Sequence, residues 1–202
     1  MRRIDYGGNP EDLDDILAKT WVGQLGITDP AGYPRVVPVN FAWYNGAVYF
    51  HGASAGEKFN LFAGGQKVTF MAYIELSSVP SYWRSPEYAC PASIYYKSAY
   101  LKGVGMLVES LSEKSEALNK LMEKYQPEGG YKPISADDPL YKNGLAETAI
   151  FKVAPEKIEV KNKIGQNLTP DVRKIIIQKL VERGAPFDLV TAEEMRKIPT
   201  NH

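Results

Sequence analysis

Cysteine is nearly missing from this chain of 202 residues: Cys90 stands alone, so no internal disulfide can form. Histidine is almost as scarce, with His51 and the terminal His202 too few for zinc sites built from Cys and His clusters. No run reaches the ~18 apolar residues that a membrane-spanning helix needs. Net charge is lacking too. Lysine plus arginine and aspartate plus glutamate both total 24, leaving no overall field to recruit nucleic acid or an anionic membrane. The opening MRRIDYGGNPEDLDD turns acidic where an export signal needs an apolar run, so a cytoplasmic location is expected.

What is present is enough for a proper core, since apolar residues make up 44% of the chain. NPEDLDDILAKT places Asn9 at an N-cap, Pro10 at the first helical position and acids in the first turn, which predicts a helix. WVGQLGITD reads as a strand, and DPAGY turns into a second, PRVVPVNFAWY, whose Pro38 argues for an edge or a bulge. Asn45-Gly46 is a strong hairpin signal leading into AVYFH. A short helix over EKFNLFAGG and a strand around KVTFMAYI follow.

Residues 75–92, rich in Pro, Ser and aromatics, read as a long irregular loop, with Tyr82, Trp83 and Tyr88 as lid or interface residues and Cys90 as a small buried hydrophobe. PASIYYKSAYLKGVGMLVES predicts a long strand bent near Gly103 and Gly105. A helix over SLSEKSEALNKLMEKY, short strands TAIFKVA and KIEVKNK, a helix over TPDVRKIIIQKLVERG and a short tail complete the chain. Strands joined by hairpin turns, with helices at the ends, indicate an antiparallel sheet or barrel with peripheral helices.

The chemistry concentrates at VYFHGASAGEKFNLF, residues 48–62. Gly52-Ala53-Ser54-Ala55-Gly56 fits the G-x-S-x-G pattern of a nucleophile elbow, but the histidine base has no source downstream except His202. It also fails as a phosphate loop of the Walker type, because Glu57 precedes the lysine and Phe59 stands where Ser or Thr should hold magnesium. A looser reading survives. Small residues let the backbone approach a ligand, Lys58 follows in the first helical turn, and Arg35 heads the neighbouring strand, so the constellation suits an anion such as a phosphate. The plainer alternative is a tight strand-to-helix turn with a solvated lysine.

LGITDPAGYPRVVPVNFAWYNGAVYFHGASAGEKFNLF, KVTFMA and CPASIYYKSAYLKGVGMLVE, in that order and spacing, carry a family resemblance over residues 10–160. The chain resembles the FMN-binding split-barrel proteins of the pyridoxamine 5'-phosphate oxidase superfamily, in particular the flavin-nucleotide-binding branch that includes the nitroimidazole-resistance proteins. The resemblance implies a mainly β (α+β) fold, an antiparallel split β-barrel with peripheral helices. It implies a homodimer with FMN at the subunit interface. The barrel domain is placed over residues 1–162, and a C-terminal helical extension over 163–202 lies outside the resemblance with its role open.

By the same resemblance Arg35, Val36, Val37, Pro38, Val39 and Asn40 run along the flavin, with Arg35 near its phosphate. Phe50, His51, Gly52, Ser54, Gly56 and Lys58 match further cofactor contacts, as do Tyr96, Lys97 and Ser98, and His51 matches a histidine implicated in activity. Three positions depart from the oxidase pattern: Glu57 replaces an arginine, Lys97 replaces another, and Asn40 stands in place of a lysine. The expected activity is therefore that of a flavin-dependent oxidoreductase on a small aromatic substrate with a nicotinamide reductant, rather than vitamin B6 oxidation. A non-catalytic flavin or haem carrier, with His51 as axial ligand, is the alternative.

Overall fold

The computed structural model describes residues 6–199. His202 and residues 1–5 lie outside the described residues. The element order is α1 (Pro10–Lys19), β1 (Val22–Thr28), β2 (Pro34–Asn40), β3 (Ala42–Tyr44), β4 (Ala47–Gly52), α2 (Glu57–Ala63), β5 (Gln66–Val79), a 3-10 turn (Ser81–Trp83), β6 (Ser93–Leu107), α3 (Leu111–Tyr125), α4 (Lys142–Glu147), β7 (Ala149–Lys163), α5 (Pro170–Arg183) and α6 (Asp188–Arg196). The seven strands form one antiparallel sheet in the order β2-β1-β5-β6-β7-β4-β3, a curled half-barrel with helices at its periphery. No described helix is long and apolar enough to cross a membrane.

Local chemistry explains the element ends. Asn9 Oδ1 accepts from the Asp12 amide at 2.8 Å while Asp12 Oδ2 accepts from the Asn9 amide at 3.0 Å, a reciprocal cap ahead of Pro10. Ser110 Oγ accepts from the Glu113 amide to start α3. Asn45 and Gly46 both have positive φ, 46° and 72°, as a two-residue hairpin turn requires. β2 is an edge strand, which is where Pro38 costs no ladder hydrogen bond.

Four expectations change. PRVVPVNFAWY is broken into β2 and β3 around Phe41. TAIFKVA and KIEVKNK are one strand, β7, running through Pro155. Gly103 permits this: a Cβ there would lie 1.9 Å from the Ala154 carbonyl oxygen, so only glycine admits β7 so close. β5 continues to Val79, well into the stretch expected to be irregular, and the C-terminal tail forms α6.

The chain divides into two compact units, each assembled from separated stretches. One comprises 6–13, 73–98 and 160–199; the other comprises 14–72 and 99–159. The first packs Leu76, Val79 and Tyr95 against Ile164, Ile176, Leu180, Ala192 and Met195. In the second, Ala47, Tyr49 and Ile150 pack with Val108 and Ala117. Phe50, Phe62 and Phe151 form a fully buried aromatic group in the same unit.

Candidate functional site

Strand β4 delivers the chain to the small-residue turn; Ala47, Val48, Tyr49 and Phe50 are all buried, and the strand emerges only at His51. Phe50 is inside, stacked on Phe151 with ring centroids 5.0 Å apart and planes 7° apart, while Phe62 of α2 meets both rings edge-on. His51, the next residue, is exposed, and its side chain makes no hydrogen bond to the described residues. Gly56 takes φ 95° and ψ 179°, a conformation reserved for glycine, and α2 begins immediately after it.

Lys58 rises from the first turn of α2 over the aromatic group. Its Nζ lies 5.3 Å from the centroid of Phe50 and 5.0 Å from that of Phe151. No carboxylate or hydrogen-bond acceptor among the described residues engages it, and burial holds its pKa below the usual lysine value. Gly52 keeps the approach open: a Cβ there would stand 3.3 Å from the Phe151 ring and 3.5 Å from Lys58 Nζ. The ring contacts are worth about 0.5–2 kcal/mol, far less than a buried ion pair, so an incoming anion has little to displace.

Arg35, at the start of β2, is an exposed cation whose Nη1 donates to Glu57 Oε2. Glu57 is the residue that replaces an arginine of the family pattern, and here it neutralises the other cation of the turn. Because the pair is largely solvent-exposed, it is worth about 1 kcal/mol or less and can open for a better anion. The local sum over Arg35, Lys58 and Glu57 remains positive.

Lys97 lies in the other unit and is wholly different. It is buried, and its Nζ contacts Asp12 Oδ1 at 2.8 Å and Glu194 Oε2 at 3.0 Å. Burial pulls the ammonium pKa down, but the two carboxylates outweigh it and hold it above the ordinary value. Asn162 Nδ2 donates to Asp12 Oδ2 at 2.8 Å, and Lys197 also binds Glu194. A second buried centre in this unit has Asp188 accepting from Arg183 Nη2 at 2.6 Å, Ser77 Oγ at 2.5 Å and the Ala185 amide at 2.8 Å. The Arg183 guanidinium also covers the Trp83 ring at 4.7 Å.

The family model for pyridoxamine 5'-phosphate oxidase matches residues 9–162. The chain belongs to that family. Among solved structures, it is similar to a candidate 5-nitroimidazole antibiotic resistance protein from Bacteroides thetaiotaomicron VPI-5482, with 24% identity over 76% of this chain and 83% of that one and a TM-score of 0.61. The FAD and heme binding protein from Mycobacterium smegmatis is 19% identical over 77% and 71% of the two chains, with a TM-score of 0.62. The flavocytochrome Anf3 from Azotobacter vinelandii is 21% identical over 77% and 67%, with a TM-score of 0.61. At these identities the likeness is one of fold. No curated protein matches the chain.

Within this family member, Arg35, Glu57, Lys58, Gly52 and the exposed His51 and Ser54 belong to one unit. Along β2, Val36 is exposed, Val37 half-buried, Pro38 exposed, Val39 buried and Asn40 exposed, with the Asn40 side chain hydrogen-bonded to the Tyr125 hydroxyl. The Phe50 ring is committed to the core, so only its backbone is left for a ligand. Tyr96, Lys97 and Ser98 belong to the other unit, where Tyr96 is half-buried beneath Lys161 and Ser98 is buried.

Cys90 corrects an expectation: it is exposed, in a stretch (86–90) where every residue is exposed, rather than a buried hydrophobe. Trp83 packs on the core of its unit, while Tyr82 and Tyr88 remain exposed. Sequence reasoning did not identify the aromatic floor beneath Lys58 or the partners of Lys97. The first had a visible signal in the apolar runs VYF and AIF, which mark strands buried on both faces; the second had none.

Proposed function

We propose that this protein binds FMN with its phosphate on Lys58 and Arg35, and acts as a flavin-dependent oxidoreductase on a small aromatic substrate. The observation that carries the reading is Lys58: a half-buried ammonium on an aromatic floor, without an acceptor among the described residues, beside a glycine whose Cβ would narrow the approach. These residues fit a phosphate ester. Lys58 supplies the point charge, Arg35 leaves Glu57 to donate from its fork, and Ser54, in the turn before α2, is exposed.

The flavin, when bound, supplies the electron or hydride transfer itself, with a nicotinamide cofactor as the expected reductant. The chain's contribution is position and a proton. His51 presents an imidazole without a hydrogen bond among the described residues, able to hold a proton at a ring nitrogen and pass it to the reduced substrate. A homodimer fits the sheet surface. Val36, Pro38 and Met71 stand opposite Gly26 and Gln24 on one outer face, Val36 is 68% exposed, and Gln24 Oε1 is buried there without a hydrogen-bond partner. The fold relatives named for nitroimidazole resistance, FAD and heme binding, and a flavocytochrome support a flavin reading in general.

The test is the visible spectrum of the purified protein after addition of FMN and gel filtration. Flavin absorbance that travels with the protein, weakened in Lys58→Gln, supports the site; failure to take up FMN overturns it. Turnover of a nicotinamide donor with a nitroaromatic acceptor, lost in His51→Ala with flavin retained, separates the enzyme from a flavin carrier. A haem spectrum that His51→Ala abolishes would favour the carrier reading.

A further inference from the structure

A second pocket, of about 460 Å³, lies where α1, β3 and α3 meet, with Leu17, Ala42, Trp43 and Lys124 in its lining. Lys124 is unusual there. Its Nζ donates to the Leu17 carbonyl at 2.9 Å and lies 3.6 Å from the centroid of the buried Phe41 ring. The charged and titratable groups around it are Asp14, Lys120, Glu123 and Tyr125, and both acids are already engaged. Glu123 binds Lys120 at 2.7 Å, and Asp14 accepts from the Trp43 indole at 3.1 Å. Tyr125 accepts from the Phe41 amide at 2.9 Å, and burial raises its pKa, so its hydroxyl supplies no counter-charge. Lys124 is thus an amine with no carboxylate partner among the described residues, in a cavity with an apolar wall.

We propose that Lys124 is a covalent capture site for small aldehydes, aromatic ones by preference. The neutral amine attacks the carbonyl carbon, the carbonyl π electrons move to oxygen, and the carbinolamine loses that oxygen with two protons as water, leaving a C=N bond. No oxidant or reductant is needed. Ala42 and Trp43 offer the apolar surface on which a ring of this size rests, and the cavity volume falls in the usual range of about 300–1,000 Å³ for small-molecule sites. Burial lowers the Lys124 pKa to about 8, which keeps the reactive form available near neutral pH. About a tenth of the side chain is then the free amine at pH 7, against roughly a few parts in ten thousand for an ordinary lysine.

The experiment treats the whole protein with benzaldehyde and cyanoborohydride, which reduces the imine to a stable secondary amine, and locates the benzyl group by peptide mass mapping. Lys124 should be labelled about tenfold faster than the exposed Lys67 and Lys102, with half-maximal rate at about pH 8. The early label should vanish in Lys124→Arg. Labelling of Lys124 no faster than Lys67 and Lys102, or its complete protection, overturns the proposal and makes the ammonium a cap on the α1 carbonyl. An early label that persists in Lys124→Arg overturns it equally, by placing the reactive amine elsewhere.

Discussion

Lys58 and Lys97 are both matched to a flavin site by family resemblance, yet their surroundings are opposite. Lys97 is enclosed by Asp12 and Glu194, and its charge is spent inside the protein. Lys58 has only ring faces beneath it. A cation already compensated by two carboxylates stiffens the fold, because removing a partner strands a buried charge at a cost of about 3–5 kcal/mol. A cation held by aromatic faces gives up little when an anion arrives. The difference separates a compensated cation from one with no counter-charge among the described residues, which residue type alone does not do.

The largest effect should come from the compensated centres. Asp188→Asn leaves Arg183 without its buried partner and should cost about 3 kcal/mol in urea-induced unfolding, with Glu194→Gln smaller because Asp12 still holds Lys97. If Glu194→Gln costs nothing while FMN binding tightens, Lys97 is a cofactor ligand and the contrast fails. Next in size is Lys58→Gln, which should weaken FMN by about 10–100-fold, the worth of a charge-assisted hydrogen bond, without lowering the unfolding midpoint. An unchanged affinity would remove Lys58 from the site.

Acid sharpens the comparison further. The Arg183 guanidinium, with Ser77 and the Ala185 amide, holds Asp188 down at about 2, against an ordinary value of 3.8. A carboxylate with a depressed folded pKa contributes its full stability above its unfolded value and loses it as pH falls through the folded one. About 2 kcal/mol should therefore disappear between pH 4 and pH 2, and Asp188→Asn should flatten that slope. The smallest effect belongs to Glu57→Gln. Freeing Arg35 from an exposed pair should tighten FMN by about two- to fivefold, which titration at low salt would detect.

Much of the frame was legible because it depends on neighbours in the chain. Asn9-Pro10 capped a helix, Asn45-Gly46 closed a hairpin, and Pro38 marked an edge strand. Legibility failed where strand continuity depended on a partner. Pro155 looks like a break, and β7 passes through it because Gly103 of β6 leaves room for the Ala154–Pro155 backbone. The end of β5 and helix α6 were hidden likewise, since Leu76 and Val79 gain their apolar surroundings from Ala192 and Met195, far along the chain.

Residue order by itself determined the small-residue turn, the lysine after it, the histidine before it, and the family they belong to. Those features are set within a few residues of one another, with the positive φ of Gly56 fixing where the helix starts. Which lysine is free was decided only by the tertiary structure. Glu194 reaches Lys97 from 97 positions away, and Phe151 slides under Lys58 from a different strand. Charge compensation depends on distance in space and on local dielectric, and neither is written along the chain.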